Sequence, residues 1–183
     1  MPKKISFGLS VIEVRKAIGE LKAYQESINR KCEELCQRLV NEGIQLARAE
    51  IGNSSFGNFI RLSSEISPTE SGCKAVFYME DASKITSQWV TLDGVQTAVV
   101  SPSLMIEFGS GLKAQNPKDI QGVGTGTFPG GTHGAEPGWY YMDLNNTWHY
   151  SQGIEPKMPM YKSGEELRRR VLSIAREVFM EDN

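Results

Sequence analysis

No run of about 18 apolar residues occurs anywhere in this sequence, so no segment is long and greasy enough to span a bilayer. The first ten residues carry Lys3 and Lys4 with no apolar stretch behind them, which leaves the pattern of a secretory signal unfilled. Excess charge of one sign is missing too. Against 20 Lys plus Arg stand 22 Asp plus Glu, a net charge of −2, so there is no electrostatic footprint for gripping nucleic acid by phosphate neutralisation. Cysteine is scarce: Cys32, Cys36 and Cys73 are an odd number in a chain without an export signal, which points to free thiols in a reducing cytoplasm. Cys32 and Cys36 lie one helical turn apart. A structural zinc needs four ligands, however, and the two histidines, His133 and His149, lie far along the chain, so the pair reads as small apolar residues on a helix face and no metal is expected.

What is present is a globular composition. The 183 residues suffice for one domain that buries roughly 70% of the surface of its unfolded chain, with no staple required. From Ser10 the chain reads as helix, because Ser10 and Glu13 form a capping box and apolar residues then recur at alternating steps of three and four. The stripe is Val11, Val14, Ile18, Leu21, Gln25, Ile28, Cys32, Leu35, Leu39, Glu42 and Leu46. One helix over residues 11–50 would be about 60 Å long, more than the roughly 40 Å expected of a compact domain of this size. The favoured expectation is a bend near Gln25 to Asn29; an unbroken rod would instead offer its stripe to a neighbouring subunit as a coiled coil.

Beyond Ile51 the period becomes two. Ile60, Leu62, Ser64 and Ile66 alternate with polar residues up to Pro68, as in a half-buried strand. Lys74 to Glu80 is apolar on both faces, the mark of a covered central strand. Trp89 to Leu92 and Val95 to Val100 flank Asp93-Gly94, a hairpin signal, so a three- or four-stranded antiparallel sheet is expected. Between Gly109 and Gly138 fall nine of the 18 glycines with almost no large apolar side chain except Phe128, a segment that cannot form its own core. Trp139 to Tyr141 and Trp148 to Tyr150, on either side of Asp143-Leu144-Asn145-Asn146, read as an aromatic hairpin, either core or an anchor belt for an interface. A final amphipathic helix is expected from about Gly164 to Met180, opened by a second capping box at Ser163 and Glu166. The fold class is therefore α+β: N-terminal helices and a C-terminal helix packed on a mainly antiparallel sheet, with a long glycine-rich loop. As one domain it divides into a helical segment 1–51, a sheet 52–108, the loop 109–138, and an aromatic hairpin with the last helix, 139–183.

Two other classes of function compete. A metal-assisted hydrolase would have to draw on His133, His149, Glu107, Asp143 and Glu136, but no HExxH and no GxSxG accompanies them. A helix-binding adaptor would use the stripe from Val11 to Leu46, while Arg168, Arg169 and Arg170 read as a solvated face paired with Glu165 and Glu166.

The succession Ile106-Glu107-Phe108-Gly109-Ser110-Gly111, Trp139-Tyr140-Tyr141, His149, Gly153, Met158-Pro159-Met160 and Ala175-Arg176-Glu177-Val178-Phe179 resembles the tail-component family of long-tailed bacteriophages. Its members act at the neck as tail-completion or head-tail joining proteins. The resemblance implies a non-enzymatic virion protein, made in the host cytoplasm, that forms a ring of six copies at the junction of capsid and tail. Its partners would be itself and the neighbouring connector and tail-tube or terminator proteins, with no cofactor, no membrane and no specific nucleic acid, although DNA could pass through the ring. A tail terminator or minor tail protein is the neighbouring alternative. The residues it puts at subunit or partner contacts are Glu107, Phe108, Gly109, Gly111, Phe128, Trp139, Tyr141, Trp148, Met158 and Met160. Glu107 would either face a neighbour's Lys or Arg or stand as an exposed strand carboxylate, and Met158 and Met160 would fill a groove against the next copy or, by preference, inside the protomer. Gly109 and Gly111 would turn the chain out of a strand from Leu104 to Phe108, and the loop from Lys113 to Gly138 would be mobile in the free subunit and ordered in the ring.

Overall fold

The computed structural model describes residues 8, 10–52, 54–70, 72–114, 127, 128, 131, 132 and 139–180. Its regular elements are α1 (Val11–Ile51), β1 (Ile60–Thr69), β2 (Gly72–Asp81), β3 (Ile85–Thr91), β4 (Gly94–Val100), α2 (Pro102–Phe108), β5 (Thr127–Phe128), β6 (Gly131–Thr132), β7 (Trp139–Met142), β8 (Trp148–Ser151) and α3 (Pro159–Met180). The strands form a pair β1-β2, a four-stranded sheet in the order β4-β3-β7-β8, and a short ladder β5-β6. The fold is α+β, with a helix at each end of the chain.

α1 opens on the expected cap, with the Glu13 amide donating to Ser10 Oγ at 3.3 Å and the Ser10 hydroxyl to Glu13 Oε2 at 2.6 Å. The expected bend is not there: the helix is unbroken over 41 residues. Kinks require proline, paired small residues or an inserted group, and Gln25 to Asn29 supplies none. The buried line near its end is Val40, Gly43, Ala47 and Ile51, one residue on from the anticipated Leu39, Glu42 and Leu46. A strict seven-residue repeat slips about 20° per heptad on a straight α-helix, and over five heptads that slip amounts to one residue. α1 then stops on Gly52, whose φ of +50° suits the left-handed position after a helix end, and whose amide bonds back to Arg48 O.

The contacts gather into two compact units. In the first, the amino-terminal part of α1 keeps company with the ends of β1 and β2 nearest their turn and with the last turns of α3. Ala17, Val40, Ile174 and Val178 are buried there. Lys31 Nζ lies 3.5 Å from Phe179 O and 5.9 Å from the centre of its ring, a cation against the negative end of α3. The three thiols are free and half-buried, and burial together with a bond to Cys73 pushes the Cys36 thiol up to about 11, so it stays protonated at neutral pH. Among the described residues no group of three ligands could hold a metal ion, and no helix is long and apolar enough to cross a membrane.

The second unit holds the rest. β2 is not a central strand: it pairs with β1 alone among the described residues, and its two-faced apolarity has another cause. Phe77 points at α1 and α3, where a side chain at Gly43 would run into Phe77 and Leu167, while Val76 on the opposite face is exposed. β3 and β4 pair from Ile85↔Val100 to Thr91↔Gly94, so the turn is Leu92-Asp93, one residue before the anticipated pair, with Gly94 taking a φ of +111° at the head of β4. The sheet is completed by the aromatic hairpin β7-β8, joined through Val90↔Met142, rather than by β1 and β2.

Two further corrections concern helices. Leu104 to Phe108 lies in α2, not in a strand. Ser101 caps it, Oγ accepting from the Leu104 amide at 3.3 Å, Pro102 occupies the first turn, and Asp81 Oδ1 accepts from the Ser103 amide at 2.9 Å. Burial works to raise the Asp81 carboxyl, but its bonds from Ser103 and Ser101 hold it below its ordinary value. Ser101→Ala should cost about 1 kcal/mol of stability, read as a lower midpoint in urea; an unchanged midpoint would mean that Asp81 alone holds this helix start. α3 begins at Pro159, well before the anticipated Gly164. Ser163 is no cap but a buried residue inside the helix, its hydroxyl donating back to Pro159 O at 2.7 Å, and Glu166 pairs with Arg169. Within the glycine-rich stretch, Thr127↔Thr132 and Phe128↔Gly131 form a two-rung antiparallel ladder.

Candidate functional site

Residues 106–111 and 153–161, separate in the sequence, are laced together. Ile106 O accepts from the amides of Lys157 at 2.8 Å and Met158 at 3.2 Å, and Ser110 and Ile154 exchange backbone bonds at 2.9 and 3.2 Å. Glu107, 7% exposed, places one carboxylate oxygen 3.0 Å from the Met160 amide and the other 3.0 Å from the Tyr161 amide. It thus caps α3 from another helix, at the end where a negative group is favoured. Burial nonetheless raises its carboxyl above the ordinary value, against the lowering effect of those two amides and of Lys162. Neither a strand position nor exposure applies to Glu107. Lys157 Nζ reaches Ile51 O at 2.9 Å, and Lys162 pairs with Glu50 at 2.8 Å, so the same segment also closes the end of α1.

Two tight approaches make this lacing possible. Gly109, at φ +73°, ends α2 where any side chain would strike Ile154 O and Pro156. Gly153, at φ +98°, lies against the Ser110 carbonyl. Of the residues singled out from sequence, Glu107, Gly109, Gly111, Met158 and Met160 therefore lie along this junction inside one chain. Ser110, Ile154 and Tyr161 take part equally and were not singled out, since backbone partners leave no side-chain signature.

The exposed face of the four-stranded sheet offers a different kind of site. Cross-strand partners share a face, so the registers Val95↔Val90, Val90↔Met142 and Met142↔Trp148 draw one apolar row across all four strands. Thr86, Gln88, Thr97, Val99, Tyr140 and Tyr150 complete that face by alternation, and none of its ten positions is charged. Val95, Val99, Tyr140, Trp148 and Tyr150 are 49–70% exposed. Tyr140 and Tyr150 face each other with ring centroids 4.9 Å apart. By the size of aromatic side chains the three rings alone present roughly 300 Å², the scale at which a single surface patch marks an interaction site. Trp148 belonged to the set read from sequence; Val95, Val99, Tyr140 and Tyr150 did not, although their alternation without a single charge was the available signal.

The remaining candidates scatter. His149 Nε2 lies 3.0 Å from Asp143 Oδ2, and Asp143 Oδ1 accepts from the amides of Asn145 and Thr147, so this pair braces the β7-β8 turn with Asn146 at φ +59°. The bond from His149, followed by the amides of Thr147 and Asn145, holds the Asp143 carboxyl below its ordinary range. His133 and Glu136 lie outside the described residues, as does most of the segment from Lys113 to Gly138. Phe128, Trp139 and Tyr141 are placed by their backbone pairing alone, with Gly131, Ser151 and His149 respectively. Phe108 is half-buried at the end of α2. No protein-family model matches this chain, and neither a curated protein nor a solved structure is significantly similar to it.

Proposed function

We propose that this chain is a structural virion protein of a tailed bacteriophage or prophage that assembles into a ring at the head-tail junction. The uncharged aromatic face of the β4-β3-β7-β8 sheet carries the assembly part of the reading. Its edge strand β4 reads Gly-Val-Gln-Thr-Ala-Val-Val, seven residues with neither charge nor proline, paired only with β3 among the described residues. Proteins that remain monomeric blunt such edges with lysine, proline or bulges. A face and an edge left in this state suit a chain whose working form covers them with another copy. A ring arises when one patch meets a different patch on the next copy, and the position at the neck rests on the resemblance of the carboxyl-terminal motifs.

The test is electron microscopy of lysates in which this gene alone is disrupted. Filled heads beside unattached tails are expected, with normal tail length indicating completion and altered length indicating termination. Complementation with the wild-type gene should restore joined particles, whereas Trp148→Lys, a change at an exposed position, should yield folded protein and at least tenfold fewer joined particles. Normal infectious particles without the gene would remove the proposal.

A further inference from the structure

The stripe of α1 is uncovered at its amino-terminal end. Val11, Ile18 and Leu21 are 48–67% exposed and, together with the half-buried Val14, recur at steps of three and four residues. On a helix they form one ridge of the kind that packs into the groove of another helix. The charges beside this ridge are not balanced. Arg15 and Lys22 follow Val14 and Leu21 by one residue, which places both along one border of the ridge, and both are exposed. Neither makes a hydrogen bond or ion pair with any described residue. The other border carries Ala17, which is buried within the chain, and the exposed Tyr24, and the acids between Val11 and Tyr24, Glu13 and Glu20, fall on the back of the helix.

Self-pairing does not resolve this arrangement. Antiparallel pairing of two such ridges would bring Arg15 of one copy beside Lys22 of the other, and parallel pairing would set the two cations against Ser10 and Ala17, gaining nothing from them. We infer that the ridge Val11-Ile18-Leu21 of α1 docks an amphipathic helix of a different protein, one whose apolar seam is flanked by Asp or Glu that pair with Arg15 and Lys22. This goes beyond the ring reading and does not depend on it, since the ridge belongs to the other compact unit and uses none of the sheet residues.

The test uses the full chain and two synthetic three-heptad peptides with Ile and Leu at the seam, one with Glu at every flanking position and one with Lys. Like charges keep each peptide from pairing with itself. Fluorescence anisotropy at low salt should show the acidic peptide binding at least tenfold more tightly than the basic one, with the preference shrinking as salt is raised. The double substitution Arg15→Glu with Lys22→Glu should reverse the preference, and Ile18→Asp should abolish binding of both. Equal binding of the two peptides, or binding of neither, would overturn the inference. So would concentration-dependent self-association in sedimentation that Ile18→Asp removes, because the occupant would then be a second copy.

Discussion

Glu107→Ala should lower the free energy of unfolding by about 3 kcal/mol, because it strips the acceptor from two buried amides at once. The Met160 and Tyr161 amides are in the first turn of α3, where no intrahelical carbonyl can reach them, and Met158 before them has no side-chain acceptor to offer. Glu107→Gln keeps one acceptor but turns a donor toward the other amide, so it should be destabilising to a smaller degree. The pH dependence separates the two effects. The folded carboxyl has its value raised by burial, so the folded state takes up a proton more readily than the unfolded chain does. Stability from this group is therefore fully present at low pH and is lost as pH rises through the folded value. Glu107→Gln has no such proton, so the gap between wild type and this variant should widen as pH is lowered from neutral, while Asp81 and Asp143 act alike in both and cancel. Urea titrations over that range provide the check; a constant gap would mean that Glu107 ionises as it would in water.

Gly153→Ala should be worse, at about 4 kcal/mol, because strain and a broken pair of bonds combine. At φ +98° an L-residue is already disfavoured, and the new methyl would be driven into the Ser110 carbonyl, which is backbone and cannot rotate aside. Relief requires the chains at Ser110 and Ile154 to part, which removes their reciprocal bonds and loosens the segment that presents Met160 and Tyr161 to Glu107. For a chain of this size the loss corresponds to a fall of roughly 10 °C in Tm. Gly19→Ala is the matched control. It lies in α1 with nothing within 4 Å of the added methyl, so it should raise stability by about 1 kcal/mol through helix propensity alone. Equal melting temperatures for Gly153→Ala and wild type would show that the lacing of 110 to 154 contributes little.

Much of the local structure could be read from neighbouring residues, and what could not was decided at a distance. The start of α1 was legible because Ser10 and Glu13 satisfy each other within one turn, and the aromatic hairpin because Asp143 to Asn146 is a turn in its own right. The start of α3 was not. Its cap comes from Glu107, more than fifty residues earlier, so Ser163 and Glu166 offered a nearer and incorrect solution. α2 was not legible as a helix: the helix-start pair Ser101-Pro102 went unread, and Leu104 to Phe108, expected as a strand, is too short for periodicity to separate the two. The companion of β3 was equally hidden, since a strand edge accepts β7 through main-chain bonds that no side chain advertises. Of the candidate face, Trp148 stood out by its size, whereas the charge-free alternation of Val95 and Val99 was visible in the sequence but gains meaning only when register joins it to the rows of the neighbouring strands.

The lacing also fixes an order of events during synthesis. Glu107 emerges from the ribosome long before Met160 and Tyr161, and Ile51 waits still longer for Lys157, contacts that close loops of 53, 54 and 106 residues. Each closure costs chain entropy that grows with the logarithm of its length and is recovered only when the ends meet. The carboxyl end of α1 and the buried acid of α2 therefore remain uncapped until residues 157–161 arrive. This unit becomes stable only once residues 157–161 have been made, and a chain truncated ahead of Pro159 would leave the Glu107 carboxyl without the amides of Met160 and Tyr161.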